Sequence, residues 1–146
     1  MENKSFCEGF LFLKYHCIIM PRVFTSVDIE QEEKELRKDY FDRHTPHIIC
    51  INEVPRGERF SVTVKIGEHY THPANDDHTI AYIQLWNRET LLAEARYSAD
   101  AFDRQPGNIE VDFHIVAPLV SMNLTAMSYC SKHGLWKSDP HMVKVL

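Results

Sequence analysis

The sequence lacks the features of a nucleic-acid-binding protein and of a membrane-spanning protein. Its formal net charge is −5, so there is no excess of basic side chains to neutralise phosphates, and we exclude a general nucleic-acid binder. The apolar stretch 10–20 is short, is interrupted by Lys14 and His16, and is followed by no small-residue cleavage site. The stretch is too short and too interrupted for either, so we expect neither a signal peptide nor a membrane span.

Cysteine is scarce and unevenly spaced. The chain has four, Cys7, Cys17, Cys50 and Cys130, and it is long enough to form a core without disulfides. Since no export signal is evident, we expect a reducing, cytoplasmic environment. Cys130 would then be a free thiol available to a metal, whereas Cys50, which follows two isoleucines, is predicted to be a small buried side chain.

The chain also lacks alternation of strands with helices, internal repeats and low-complexity tracts. Short β-rich segments separated by turn residues occupy most of the sequence after residue 42. We predict an all-β fold, a seven-stranded antiparallel immunoglobulin-like β-sandwich with a short N-terminal helical segment. The predicted strands are residues 48–54, 60–66, 79–86, 91–98, 109–115, 119–129 and 142–146.

The N-terminal part has a different pattern. Residues 1–25 are either an artefact of an upstream start or an added strand, and the sequence leaves both alternatives open. Residues 26–40 carry acidic side chains early and basic side chains late, which complements a helix dipole and predicts a short solvated helix. The expected organisation is an N-terminal extension, 1–41, followed by one β-sandwich domain, 42–146.

Histidine, in contrast, is abundant. The chain has nine, and imidazole is the most common metal ligand in proteins. Five ligand-type side chains lie at predicted borders between strands and loops, and loops from distant parts of a sandwich meet at its two ends. They belong to three segments, D-R-H-T-P with His44, T-H-P-A-N-D-D-H with His72 and His78, and S-Y-C-S-K-H-G-L-W with Cys130 and His133.

Four imidazoles and one thiolate exceed the four ligands of a closed tetrahedral zinc site. A square pyramid with the histidines in a plane, sulfur on the axis and the opposite position open suits a redox-active iron. His69 lies in the same loop as His72 and is an alternative ligand. Trp136 is expected to pack over the ligand loop and exclude water.

The three motifs resemble those of the superoxide reductase family, which comprises the neelaredoxin and desulfoferrodoxin iron domains. The family pattern is E-K-H-x-P, then H-P with a second histidine six positions after the first, then C-N-x-H-G-x-W. All three occur in this order from about Asp42 to the C-terminus. The four-cysteine rubredoxin-like centre of two-iron members has no counterpart here.

The resemblance implies an immunoglobulin-like sandwich that assembles as a homotetramer or a dimer. It implies one iron ion with His44, His72, His78 and His133 as equatorial ligands and Cys130 as the axial ligand. The implied reaction is the one-electron reduction of superoxide to hydrogen peroxide, with rubredoxin or another small electron donor restoring iron(II). No membrane or nucleic-acid partner is implied.

Two residues depart from the family pattern. The glutamate that closes the sixth position of oxidised iron is Asp42 here, one methylene shorter. The lysine that attracts superoxide and orders water is Arg43, whose guanidinium keeps the positive charge but hardly gives up a proton. We expect Asp42 and Arg43 to carry the catalytic roles of that pair, with weaker capping of iron(III) and with Arg43 and Lys132 steering the anion.

The sequence also allows two alternative functions. A β-sandwich electron carrier holding copper or iron would use His, Cys and His with a nearby axial methionine. Met142 lies nine positions after His133, which is far for that loop, and two histidines would be left unused. A metal-free immunoglobulin-like binding module leaves the histidine spacing unexplained.

Overall fold

Two β-sheets pack over one hydrophobic core. The computed structural model describes residues 23–24, 30, 35–75, 77–98, 101, 105, 107 and 109–146. Within them lie one helix, α1 (Lys38–Asp42), and ten strands. The strands are β1 (Val23–Phe24), β2 (Pro46–Ile49), β3 (Glu53–Val54), β4 (Arg59–Ile66), β5 (Ile80–Asn87), β6 (Thr90–Arg96), β7 (Ile109–Val116), β8 (Met122–Cys130), β9 (Gly134–Lys137) and β10 (His141–Val145).

The smaller sheet has three strands in the order β2-β4-β7, and both pairings are antiparallel. The larger sheet has seven strands built around β8. One edge of β8 pairs with β5, which in turn pairs with β6, while the other edge pairs with β10 near its start and with β9 near its end. The predicted all-β sandwich class is confirmed.

The strand details differ from the prediction in three places. Predicted strand 48–54 is divided into β2 and β3, which belong to different sheets. β9 was not predicted, and β1 lies within residues 1–25, for which an added strand was one of two open alternatives. β1 and β9 pair in parallel, as do β3 and β10. Two-residue strands such as β1 and β3 are too short for a period-2 pattern, so sequence alone does not reveal them.

The N-terminal helix is seen only at its C-terminal end. Most of the predicted helix, 26–40, lies outside the described residues. α1 continues to Asp42, and Thr45 closes it, because its backbone N–H and its hydroxyl both donate to the Phe41 carbonyl at 3.1 and 2.7 Å. This closure turns the chain sharply from α1 into β2 and places residue 44 between them.

Alternation along β4 and β8 fills the space between the sheets. Val62, Val64 and Ile66 of β4 are fully buried, as are Leu124 and Ala126 of β8. Burial of the valine, isoleucine and leucine side chains contributes about 1.5–3 kcal/mol each. The division into an extension, 1–41, and a domain, 42–146, stays a prediction. Among the described residues, no helix combines the length and the apolar character needed to cross a bilayer.

Candidate metal centre

His44 enters the site from the turn between α1 and β2. Its side chain is fully buried and its ring stacks on that of Trp136, with centroids 4.9 Å apart and planes 17° apart. The Nδ1 atom lies 2.5 Å from the Tyr40 carbonyl oxygen. Because that carbonyl only accepts, Nδ1 carries the proton and Nε2 presents a free lone pair.

His72 and His78 come from the long loop between β4 and β5. His72 is fully buried, and its Nδ1–H donates to the Pro73 carbonyl at 2.6 Å, so its Nε2 also presents a lone pair. His78 is half-buried, and its Nε2 lies 3.5 Å from the Nε2 of His44. Both rings therefore aim the same nitrogen at one region.

Cys130 and His133 lie on either side of the tight turn between β8 and β9. Cys130 is the last residue of β8 and is fully buried. Gly134 closes the turn at a φ of 81°, a conformation that a residue with a Cβ resists. Through this turn the Nδ1 of His133 comes to 3.8 Å from the Cys130 sulfur.

The structure brings these five side chains together. The donor atoms of His44, His72, His78 and Cys130 all lie within 4.8 Å of one another. His133 extends this group, because its Nδ1 lies 2.9 Å from the Nε2 of His44. We name the five residues the His/Cys cluster. Three of them are buried and His78 and His133 are half-buried, so solvent reaches the cluster from their side.

The spacing of the donor atoms fits a single metal ion. Two nitrogens bound at right angles at about 2.1 Å from an ion are about 3.0 Å apart, and a nitrogen and a sulfur are about 3.1 Å apart. The 2.9 Å between His44 and His133 and the 3.3 Å between the His72 Nε2 and the Cys130 sulfur match neighbouring ligands. The cluster could hold a metal that accepts both imidazole and thiolate.

The protonation state of the imidazoles suits metal binding. Burial lowers the pKa of His44 to about 3 and that of His72 to about 4, and the neighbouring histidines add to the effect. Burial also lowers the pKa values of His78 and His133, together with the charge of Lys132. All four rings are therefore neutral near pH 7, the form in which histidine binds metals.

The pKa of the Cys130 thiol is shifted in the direction that disfavours metal binding. Burial raises the pKa of Cys130, although backbone hydrogen bonds from Lys132 and His133 and the charge of Lys132 oppose the rise. Without a cation Cys130 is therefore a thiol at pH 7. A bound metal reverses this, since a coordinating thiol is deprotonated outright.

Two serines fix the three segments relative to one another. Ser128, fully buried in β8, donates its hydroxyl proton to the His44 carbonyl at 3.2 Å. Ser131 donates to the Asp77 carbonyl at 3.2 Å and accepts the Thr79 N–H at 3.0 Å. The first contact joins the His44 turn to the strand of Cys130, and the second joins the His78 loop to the turn after Cys130.

Asp42 lies at the end of α1 and faces the 68–70 turn. Its carboxylate accepts the backbone N–H groups of Glu68 at 3.1 Å, His69 at 2.9 Å and Tyr70 at 2.7 Å. Burial alone would raise its pKa, but these three donors hold the pKa below its usual value. The carboxylate is thus ionised and already engaged by the protein backbone.

Arg43 is held at the exposed side of α1. Its Nη2 lies 2.6 Å from the Asp39 carboxylate, and its Nε donates to the Asp39 carbonyl at 2.9 Å. Its positive charge still acts on the cluster, since it contributes to the lowered pKa values of His72, His78 and His133. Arg43 and Lys132 therefore set a positive potential around three of the five residues.

Other residues singled out in the sequence lie as follows. The side chain of His69 is 69% exposed and its Nε2 lies 3.9 Å from the Glu68 carboxylate, so it is outside the cluster. Trp136 is buried against His44, as expected of a residue that excludes water. Cys50 is half-buried and packs against the core from its edge.

Sequence reasoning missed Tyr40. Its carbonyl fixes the His44 ring, and its own ring contacts those of His44, His133 and Trp136 at centroid distances of 4.9, 5.1 and 5.5 Å. The signal available in the sequence was its helical spacing, four residues before His44. The helix prediction ended at residue 40 and so separated Tyr40 from the residue that it supports.

Comparison with known proteins agrees with this geometry. The family model described as Desulfoferrodoxin matches residues 27–139. The chain is similar to the superoxide reductase of Thermococcus kodakarensis, with 30% identity over 105 residues, 64% of this chain and 84% of that protein. It is also similar to the neelaredoxin of Megalodesulfovibrio gigas, with 27% identity over 121 residues, 67% of this chain and 85% of the relative.

A solved structure supports the same assignment. The superoxide reductase (neelaredoxin) from Ignicoccus hospitalis superposes on this chain with a TM-score of 0.63 and 26% sequence identity, covering 85% of this chain and 95% of the other. The match to the family model alone spans most of the sequence, including all five residues of the His/Cys cluster. This chain belongs to the desulfoferrodoxin family.

Proposed function

We propose that this protein is a superoxide reductase with one mononuclear iron ion held in the His/Cys cluster. The observation that carries the proposal is the convergence of four donor atoms within 4.8 Å of one another, with the His133 Nδ1 atom 2.9 Å from one of them, the His44 Nε2. The names of the relatives support the choice of substrate. The residues that would hold the ion are His44, His72, His78, His133 and Cys130.

The proposed reaction converts superoxide, one electron and two protons into hydrogen peroxide. Iron(II) in the cluster would supply the electron, with the Cys130 sulfur tuning its potential as axial thiolates do elsewhere. Rubredoxin or another small electron donor would then restore the reduced state. Homotetrameric or dimeric assembly and a cytoplasmic location belong to the same proposal.

The side chains of the protein attract the substrate rather than protonate it. Arg43 and Lys132 place positive charge near the cluster in a chain of formal net charge −5, although each pairs with a carboxylate, Asp39 and Asp77 respectively. Such a local field would raise the encounter rate of a small anion. Arg43 hardly releases a proton at any working pH. The two protons would therefore come from water on the half-buried His78 and His133 side.

A copper carrier fits less well. Its axial methionine would be Met142, whose side chain is 57% exposed on β10. The cluster also contains four imidazoles, whereas such a copper site uses two. Nothing in the described residues favours this alternative over iron.

Metal content and the yield of peroxide test the proposal together. We expect one iron per chain in protein purified without oxidant, and one peroxide formed for each superoxide consumed when reductant is present. Dismutation would give one peroxide for every two superoxide ions and would release dioxygen. Copper in place of iron, or the dismutation stoichiometry, would overturn the proposed function.

A further inference from the structure

Three successive backbone N–H groups converge on one carboxylate beside the His/Cys cluster. The Oδ2 atom of Asp42 lies 2.7–3.2 Å from the nitrogens of Glu68, His69 and Tyr70, and Oδ1 lies 3.1 Å from that of Glu68. Consecutive N–H groups that face one anion form a concave site of partial positive charge. The Asp42 side chain is only 14% exposed, so water competes poorly for these donors.

The same turn approaches residues 42–43 closely through Gly67. A Cβ on Gly67 would lie 2.3 Å from the Tyr70 carbonyl oxygen, 3.3 Å from the Asp42 carbonyl oxygen and 3.4 Å from the Arg43 Cα. Its N–H donates to the Thr45 carbonyl at 3.0 Å. Segments 42–45 and 67–70 are therefore fastened at both ends, and we name this pair of segments the clasp.

Two of the five cluster residues depend on the clasp. His44 lies within its first segment, and His72 follows its second segment by two residues. Beyond Tyr70 the described part of the loop is held by isolated bridges between His72 and Gly107 and between Asn75 and His78, and farther along by the hydrogen bonds of Ser131 to Asp77 and Thr79. The clasp joins the His72 loop directly to the segment of His44 and so helps to set the spacing of these two residues, whose ring centroids lie 4.9 Å apart.

We propose that Asp42 is a positioning residue, whose carboxylate fastens the 68–70 turn to the end of α1 and thereby sets the spacing of His44 and His72. In this role it does not close the sixth position of the metal, which is the role that the family pattern would give it. The carboxylate would have to give up three hydrogen bonds to reach the ion, and its side chain is short. The inference can be tested by two measurements, amide hydrogen exchange and metal binding, and only the second rests on the proposed metal site.

Amide hydrogen exchange of the metal-free protein tests the clasp without any metal. In Asp42→Ala the amides of Glu68, His69 and Tyr70 lose their acceptor, so we expect their exchange to accelerate at least about tenfold. Asp42→Asn keeps one acceptor oxygen and should give an intermediate rate. The control is Asp112→Ala, which removes the same charge from β7 and should leave the three amides unchanged.

Binding of cobalt(II), a spectroscopic probe for the cluster, gives the second readout. Loss of a residue that orients ligands typically weakens metal binding 10–100-fold, and we expect about that loss in Asp42→Ala, a smaller loss in Asp42→Asn and none in Asp112→Ala. A residue that only capped oxidised iron would change neither cobalt(II) affinity nor exchange in the metal-free protein.

Unchanged exchange in Asp42→Ala would overturn the positioning role, and so would unchanged cobalt(II) affinity beside normal binding by the wild type. If the wild type itself bound no cobalt(II), the proposed metal centre would fail instead. The exchange measurement would then still decide whether Asp42 fastens the turn. The two failures are therefore distinguishable.

Discussion

The Nδ1 atom of His133 lies 2.9 Å from the Nε2 atom of His44, across 89 positions of sequence. The Nε2 lone pair of His44 is unshared, because its Nδ1–H is committed to the Tyr40 carbonyl. At 2.9 Å the two nitrogens must share either a proton or a cation, since two lone pairs at that distance repel each other. Burial lowers the pKa of both rings, so neither carries a second proton near pH 7. A neutral His133 can supply the shared proton as its Nδ1–H, and a bound cation would take the place of that proton between the two nitrogens.

Cys130→Ser tests the axial ligand. In the oxidised, iron-loaded protein, we expect a visible sulfur-to-iron charge-transfer band that disappears in this variant, because a hydroxyl oxygen cannot supply it. Absorption spectra of the two proteins at equal iron content decide the matter. Cys50→Ser is the matched control, since Cys50 is half-buried outside the cluster, and a band that persisted in Cys130→Ser would contradict the assignment.

His44→Ala should abolish stoichiometric metal binding and also destabilise the metal-free protein. The substitution removes a fully buried ring that stacks on Trp136 and leaves the Tyr40 carbonyl without its donor. A cavity together with an unsatisfied acceptor costs about 2–4 kcal/mol of unfolding free energy. Metal analysis and urea unfolding measure the two effects. His69→Ala, which removes an exposed imidazole from the loop that carries His72, should change neither the metal content nor the unfolding free energy.

The metal-free protein should lose stability as the pH falls from 7 to 5. His44 and His72 have folded-state pKa values of about 3 and about 4, below the value of about 6.5 for an unfolded chain. Between these values the unfolded state binds more protons, so the contribution is fully present above pH 6.5 and is lost as pH falls towards 4. We expect a loss of up to about 4 kcal/mol between pH 7 and pH 5.

Urea unfolding at several pH values checks this dependence. His69→Gln, which lacks an exposed histidine outside the cluster, should show the same slope as the wild type. Equal unfolding free energies at pH 7 and pH 5 would show that the buried rings accept protons in the folded state.

The positive charge of Arg43 should accelerate the reaction with superoxide. We expect Arg43→Gln to lower the second-order rate by about tenfold at low salt, and added salt to reduce the rate of the wild type more than that of the variant. Pulse radiolysis at increasing ionic strength measures both. Lys144→Gln removes an equal charge that pairs with Glu53 on β3, at the edge of the larger sheet, and should leave the rate unaltered. A wild-type rate independent of salt would rule out steering.

Alanine substitutions at two glycines distinguish the cost of backbone strain from the cost of steric contact at the clasp. Gly57 and Gly67 have φ values of 77° and 75°, but a Cβ meets nothing within 4 Å at Gly57 and lies 2.3 Å from the Tyr70 carbonyl oxygen at Gly67. Gly57→Ala should cost about 1–2 kcal/mol from φ alone. Gly67→Ala should cost at least about 2 kcal/mol more. Equal losses in thermal unfolding would mean that the 67–70 turn relaxes freely.

The fold class and the identity of the candidate ligands could be predicted from local sequence patterns. Period-2 alternation in β4, Phe-Ser-Val-Thr-Val-Lys-Ile, predicts a strand with one buried face because successive side chains point to opposite sides. The spacing of the histidine and cysteine residues predicted which donor atoms would lie together. This prediction needs only the residue types in each motif and the order of the motifs along the chain. Trp136 against the ligand loop followed from the same reasoning.

Only the tertiary structure decided where the remaining partners lie. The parallel pairing of β1 with β9 and the engagement of Asp42 by the 68–70 turn join segments that are distant in sequence. Such contacts depend on the relative placement of whole elements, which no local pattern encodes. The sequence thus specified the groups that can bind a metal, whereas packing of the two sheets determined their separations and the engagement of the Asp42 carboxylate by the 68–70 turn.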